Sequence, residues 1–539
     1  MPLIGRHAVR AEKRSGPLTA VWTAETFNNC NFASRCDTGL SQRAMQSHKK
    51  AVVIGAGFGG LAAALRLTAR GHSTTVIDTL AGPGGRGIEF VRETMGLRFK
   101  YDAGPTVLTV PVLFEELFAL FGERLSDHVE LLPVAPWYRM RFMDGGELNY
   151  GGTTEQIQAE IARFSPDDAA RYPAFLEHSR KLFEKGYVEL GTQPFPSLMS
   201  MAKVAPAMVR LRADRSVYAV TARYFSDERI RRAFSIQPLL IGGNPFDTTS
   251  IYSLIHYIER KWGIWFPKGG MAALVKALVK LGERHGIAFR WNCRAQTIVA
   301  EDGLVSGVLL ESGETLAAST VVANADPGHV LSNMLPGRYR IPRAIAKKKY
   351  SMGLFVWYFS TRRVYADVAH HTILFGNTYR EVLRKIFDTH ELPDDLSIYL
   401  HRPTATDASY APLGYDSFYA LVPVPNLQSS IDWSVTQAPF KTLLRSELEK
   451  RILPGLRAAI VDDFCVTPKY FATELLAPQG SGFSIQPTLM QSAAFRFPNQ
   501  SPDLKNLYFV GAGTHPGAGV PGVVTSAKVV ERLMYGSIQ

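Results

Sequence analysis

Cysteine is scarce in this chain. Its 539 residues hold four, Cys30, Cys36, Cys293 and Cys465, scattered and without a CxxC pair, which excludes a disulfide scaffold and fits a reducing compartment. Long uncharged runs are missing too. The longest apolar stretch, Ala51 to Leu65, falls short of the eighteen or so residues of a spanning helix and is broken by glycines, so it reads as a strand and a turn. Zinc-ligand spacing, lysine or arginine blocks, a nucleophile-elbow serine, a His/Glu metal motif, internal repeats and low-complexity tracts are all lacking. These absences argue against nucleic acid as a partner and against hydrolytic or metal chemistry.

What is there is a globular composition, 46% hydrophobic and 20% charged, over a length that calls for two domains or more. The balance of 60 Lys+Arg against 48 Asp+Glu gives a net charge of +12. Such a charge favours an anionic surface; with nucleic acid set aside, that surface is a membrane on which the protein lies without crossing it. Residues 1–48 differ in kind, with six Lys/Arg against Glu12, Glu25 and Asp37 and no strong periodicity. They read as a disordered or spurious extension with Met45 as the natural start, in preference to a transit-like presequence.

The first motif that carries chemistry is KKAVVIGAGFGGLAAALRLTARGHSTTVIDT. A β-branched run, Val52 to Ile54, turns at Gly55, Gly57 and Gly60 in G-x-G-x-x-G spacing into an Ala/Leu helix, and a second strand, Thr74 to Ile77, ends at Asp78. Gly55 makes the tight turn, Gly57 admits a pyrophosphate to the backbone, Gly60 lets helix and strand pack, and Asp78 accepts from ribose hydroxyls. Gly84, Gly85 and Arg86 follow in AGPGGRGIEF, where a guanidinium and more bare backbone reach the same pyrophosphate. A diffusing NAD has no need of this second clamp. A tightly held FAD does.

The C-terminal GAGTHPGAGVPG, Gly511 to Gly522, sits between an apolar strand and the last helix. A turn alone needs one or two glycines. The excess suggests backbone lying close against a ligand at a helix N-terminus, here the ribityl and flavin half of FAD.

Together with YDAGPTVLT, LLIGGNPF and WGIWFPKGGMAALV, these motifs resemble the bacterial-type phytoene desaturases, FAD-dependent carotenoid desaturases, from about Lys50 to the C-terminus. The resemblance implies an α/β plus α+β architecture of the amine-oxidase and GDI lineage, with a discontinuous Rossmann-like FAD domain and a second, substrate- and membrane-facing domain. The expected division is 49–135 with 261–325 and 485–539 for FAD, and 136–260 with 326–484 for substrate. It implies FAD contacts at Gly55, Gly57, Gly60, Asp78, Gly85 and Arg86, flavin-side contacts at Gly513, Val520, Pro521, Gly522 and Val523, and a passage of Thr297 to Val299 near the adenine. The implied reaction takes 15-cis-phytoene stepwise towards neurosporene or lycopene at flavin N5, with electrons passing on to oxygen or a quinone. No catalytic side chain is assigned, and the proton acceptor stays open.

Two departures stand out. Met199 and Ser200 occupy a segment where the family pattern carries an Arg-Asp pair, and Gln486 replaces a usual glutamate. A hydrocarbon substrate must be collected from lipid, so the basic, apolar and acid-free segment Leu190 to Ala213 is expected to lie on the cytoplasmic membrane surface, against the alternative of a core helix with a basic edge. His370 and His371, as strand neighbours, are expected to point apart and hold no metal, and His515 is expected to make a local structural hydrogen bond. The rival readings are a desaturase of a hydroxylated or C30 carotenoid, an amine or protoporphyrinogen oxidase, and a non-redox prenyl-binding escort of the GDI type.

Overall fold

Ala51, Val52, Val53 and Ile54 are apolar and buried, the run expected of a strand in the middle of a parallel sheet. The computed structural model, which describes residues 49–195, 198–339 and 347–536, places it there; the extension ending at residue 48 lies outside the described residues. Five parallel strands run in the order Leu507–Phe509, Thr320–Ala323, Lys50–Ile54, Ser73–Ile77, Ala288–Arg290. Val53 stands opposite Val322 on one side and Val76 on the other. The chain's final strand thus returns to the sheet that its first strand begins.

Helices Phe58–Ala69, Gly270–Arg284 and Val520–Tyr535 share one apolar core with this sheet through Leu61, Leu65, Val275, Leu278, Val524 and Ala527. Arg66 is buried inside the helix layer and pairs with Glu531 and Glu116, each at 2.8 Å. A buried cation so paired fixes the first and last helices side by side, because losing either carboxylate would strand its charge.

A three-stranded antiparallel sheet, Ala295–Glu301, Leu304–Leu310 and Thr315–Ala317, follows the fifth strand. The largest sheet has seven strands in the order Ile460–Val466, Gly353–Thr361, Asp416–Val424, Ile398–His401, His371–Leu374, Tyr138–Arg141, Glu147–Tyr150. Strand Gly353–Thr361 is buried along its whole length because both faces are covered. Phe355, Trp357 and Phe359 pack under Trp433 and Phe440 of helix Trp433–Arg451, while Leu354, Val356 and Tyr358 face the opposite core. Leu354 and Val356 emerge there in the wall of a cavity. No described helix is long and apolar enough to cross a membrane.

Candidate functional site

The cavity measures about 970 Å³ and is walled at one end by glycine turns and at the other by the seven-stranded sheet and neighbouring helices. At the first turn Gly55 has φ +97°, open to glycine at little cost, and Gly57 is extended and caps helix Phe58–Ala69 with no side chain, so the helix N–H groups are left for a ligand. Gly55, Gly57 and Gly59 lie on the cavity wall. Gly60 does not: a Cβ there would stand 1.9 Å from the Gly55 carbonyl oxygen, so this glycine serves the helix–strand contact.

Asp78 is also on the wall and accepts from the N–H groups of Ala56 at 2.7 Å and Leu80 at 2.9 Å. Burial raises its pKa and those N–H groups oppose the rise. Gly85 and Arg86 face it from the second clamp, where a Cβ on Gly85 would meet Gly57 Cα at 3.7 Å. Arg86 Nε is buried without a hydrogen-bond partner; burial lowers the guanidinium pKa and the charge of Asp326 opposes that. An arginine held in this way suits an anion that takes up its free donors.

The C-terminal turn contributes Gly511, Ala512 and His515 to the wall, followed by Val520, Pro521, Gly522 and Val523 at the start of the last helix. Gly513 is not among the lining residues. A Cβ there would meet Pro327 Cδ at 2.6 Å and Ser484 Oγ at 2.9 Å, so its smallness serves packing of the turn. Likewise the wall near the three-stranded sheet comes from Cys293, Arg294 and Ala295, a little ahead of the expected Thr297 to Val299. His515 Nε2 donates to the Leu190 carbonyl at 3.0 Å, and its Nδ1 is buried without a partner. Burial, helped by the charge of Arg496, lowers its pKa to about 4, so the ring is neutral. Gln486 lies off the wall, its amide donating to the Tyr350 carbonyl at 3.0 Å.

Opposite the glycine turns stand Thr106, Tyr138, Ile258, Glu259, Tyr399 and Tyr419. Thr106 Oγ1 lies 2.7 Å from the Tyr399 hydroxyl, and the Tyr419 hydroxyl donates to the Gly104 carbonyl at 3.1 Å. Glu259, on helix Leu254–Trp262, is 2% exposed. Its Oε1 accepts from the Tyr138 hydroxyl at 3.2 Å, and its Oε2 is buried with no partner. Burial pushes this carboxyl up to about 7. Sequence reasoning passed over Glu259, although a signal was present: in SIYSLIHYIERKW it shares the helical stripe of Ile251, Ile255 and Ile258.

Helix Leu198–Arg210 borders the same cavity through Ala202, Ala205, Met208 and Val209, yet none of its described side chains is buried. It is therefore not a core helix. Met199 is 69% and Val209 59% exposed, beside exposed Leu489 and Met490.

The expectation for the paired histidines needs correcting. His370 stands just before strand His371–Leu374, so strand alternation does not separate the two, and their rings lie 4.4 Å apart. His401 joins them from the adjacent strand, its Nε2 3.1 Å from that of His370, and one nitrogen from each ring falls within 4.8 Å of the others. The Nδ1 atoms of His370 and His371 meet the hydroxyls of Thr406 and Tyr399, each at 2.6 Å. Burial lowers all three pKa values, with the charge of Arg402 adding to the effect at His370. The set reads as a neutral hydrogen-bonded cluster.

The family model for flavin containing amine oxidoreductase matches residues 58–530. The lycopene-forming phytoene desaturase of Pseudescherichia vulneris is 45% identical over 495 residues, covering 91% of this chain and 100% of the relative. The neurosporene-forming enzyme of Cereibacter sphaeroides is 44% identical over 492 residues, covering 90% and 94%. The chain belongs to the phytoene desaturase family. A solved oxidoreductase from Methanosarcina mazei superposes with a TM-score of 0.61 at 16% identity, covering 90% of this chain and 100% of that one, and shows the same amine-oxidase-like fold. FAD is the cofactor that goes with membership of this desaturase family. The site fits it: bare backbone on two facing turns, a carboxylate beyond them and an arginine with a free buried donor are what a dinucleotide requires.

Proposed function

We propose that this protein is a phytoene desaturase, introducing successive double bonds into 15-cis-phytoene to give neurosporene- or lycopene-type carotenoids. The observation that carries the reading is a single cavity that joins the glycine-lined cradle to an apolar chamber beside an uncovered helix. The N–H groups at Gly57 and Gly59, with Arg86, would hold the pyrophosphate, Asp78 the adenosine ribose, and the backbone of Val520 to Val523 the flavin side. Bound there, FAD supplies hydride acceptance, the hard chemistry of the reaction. The chain's residues position the substrate and exclude water. Ile251, Ile258, Leu354, Val356 and Ile373 form a wall suited to hydrocarbon.

A forty-carbon hydrocarbon gains about 0.8 kcal/mol per CH₂ on leaving water, so it stays in lipid and has to be taken up at a bilayer. Helix Leu198–Arg210, with exposed Met199, Lys203 and Val209, supports a peripheral docking surface on the cytoplasmic membrane. Oxygen or a membrane quinone would then take the electrons.

The test is incubation of the yellow, flavin-loaded protein with phytoene in liposomes, with products separated by chromatography. Coloured polyenes are expected, and the length of their conjugation counts the steps. Bound flavin with no product would turn the reading to hydroxylated or C30 carotenoids, and protein that takes up no flavin would favour a prenyl-binding escort.

A further inference from the structure

Taking hydrogen from two adjacent saturated carbons needs a hydride acceptor and a proton acceptor. Five acids line the cavity among the described residues: Asp78, Asp214, Glu259, Asp326 and Glu474. Asp78 commits both oxygens to backbone N–H groups. Asp326 accepts from the Gly328 N–H at 2.8 Å and faces the charge of Arg86. Asp214 and Glu474 are exposed, the first paired with Arg215 at 3.2 Å. Among the histidines on the wall, His515 is held neutral beside Arg496, which opposes a second positive charge, and burial lowers the pKa of His329, whose Nδ1 accepts from the Asn333 amide at 3.2 Å.

Glu259 differs from all of these. It is buried, it borders the apolar chamber, and Oε1 is fixed by Tyr138 while Oε2 has no partner in hydrogen-bond geometry, the Tyr150 hydroxyl interacting with the carboxyl more loosely. A buried carboxyl oxygen left unpaired costs stability; its retention calls for a role. The segment carrying it abuts the flavin-side turn, for the Tyr252 hydroxyl stands 3.3 Å from where a Cβ on Gly517 would be. Seven residues further on, Glu259 lies about 10 Å along the helix axis from Tyr252.

Resting on the phytoene desaturase reading, we propose that Glu259 Oε2 is the proton acceptor of the desaturation. One substrate C–H bond breaks with its electron pair leaving as hydride to oxidised FAD. The C–H bond of the neighbouring carbon gives its proton to Glu259 Oε2, and its electron pair becomes the second bond of the new C=C. The proton passes to water between turnovers. The groups facing the carboxyl are Tyr138 and Tyr150 from the sheet, Tyr172 from helix Pro166–Phe183, and Arg260 on its own helix, with His256 of that helix 3.3 Å from the Tyr150 hydroxyl. The Arg260 guanidinium lies 4.1 Å over the Trp137 ring. A carboxyl with a pKa near 7 is matched to accepting a proton at neutral pH.

The holoenzyme is compared with E259Q and E259D in two measurements. In phytoene liposomes, E259Q is expected to lose roughly 100-fold or more of its turnover at unchanged flavin content, and E259D to retain part of it. Wild-type kcat/KM should rise with pH through about 7, and that limb should vanish in E259Q. Independently of activity, infrared titration should show carboxylic acid absorption that disappears through the same range, the wild type exceeding E259Q by one group, with Asp102 accounting for what remains in the variant. Wild-type turnover in E259Q, or no difference in that absorption between wild type and E259Q, overturns the assignment while leaving the enzyme a phytoene desaturase. Failure of the wild type to convert phytoene at all overturns that reading, and the inference with it. If E259Q does not fold, the turnover and the pH limb of E259D decide.

Discussion

Arg86 shows how a single residue links sequence to cofactor. Its buried Nε has no partner and its opposing charge is Asp326, so the guanidinium sits in the cradle with a buried donor to spare. A charge-assisted hydrogen bond contributes about 1.5–3 kcal/mol, so Arg86→Leu is expected to weaken FAD binding roughly 10- to 150-fold, measured by titrating apoprotein with FAD and following flavin fluorescence. Unchanged affinity would remove Arg86 from the pyrophosphate site. The same cradle shows what a sequence can reveal at this scale. Gly55, Gly57, Asp78 and Arg86 were legible because one short strand–turn–helix–strand unit brings them together, and the structure puts all four on one cavity wall. Gly513 is expected as a flavin-side contact from the family resemblance, within a turn whose glycine density points the same way. Density cannot tell a glycine that admits a ligand from one that admits Pro327, and here the neighbour is Pro327.

At the scale of elements, helix Leu198–Arg210 was ambiguous in sequence because an amphipathic stripe fits a core as well as a membrane. Coverage excludes the core, and coverage depends on the rest of the chain: no described side chain of this helix is buried. With Ala205 and Met208 on the cavity and Met199 exposed, the proposed membrane contact would make it a doorway between lipid and chamber. Replacing Met199 and Val209 by Glu is expected to reduce cosedimentation with anionic liposomes by about tenfold or more, since acidic groups would enter the apolar boundary and face anionic headgroups. Flavin content should not change. Binding that survives both substitutions would place the docking surface elsewhere. The histidine cluster and the Glu259–Tyr138 contact were illegible for a related reason. They join positions 31 and 121 residues apart, and no local period encodes such meetings.

For the whole molecule, the buried titratable groups set a pH dependence of stability. Burial holds His256 and His515 near 4 and His370 near 3, and His371 and His401 well below their ordinary 6.5. In the unfolded chain these five take up protons near pH 6.5. As pH falls below that value the unfolded state gains protons that the folded state refuses, so they draw stability down. Asp102 and Glu259, raised to about 7 by burial, act in the opposite sense. The folded state already holds their protons from about pH 7 downward, and the unfolded state acquires them only near pH 4, so these two add stability on acidification through the same window. Among these strongly shifted groups five outweigh two, so the net effect favours the unfolded chain as pH falls below about 6.5. The urea midpoint of the flavin-loaded protein is therefore expected to fall steeply from pH 6.5 to 5. A midpoint that holds steady or rises would mean that the histidines accept protons inside the fold, and their reading as a neutral cluster would fail.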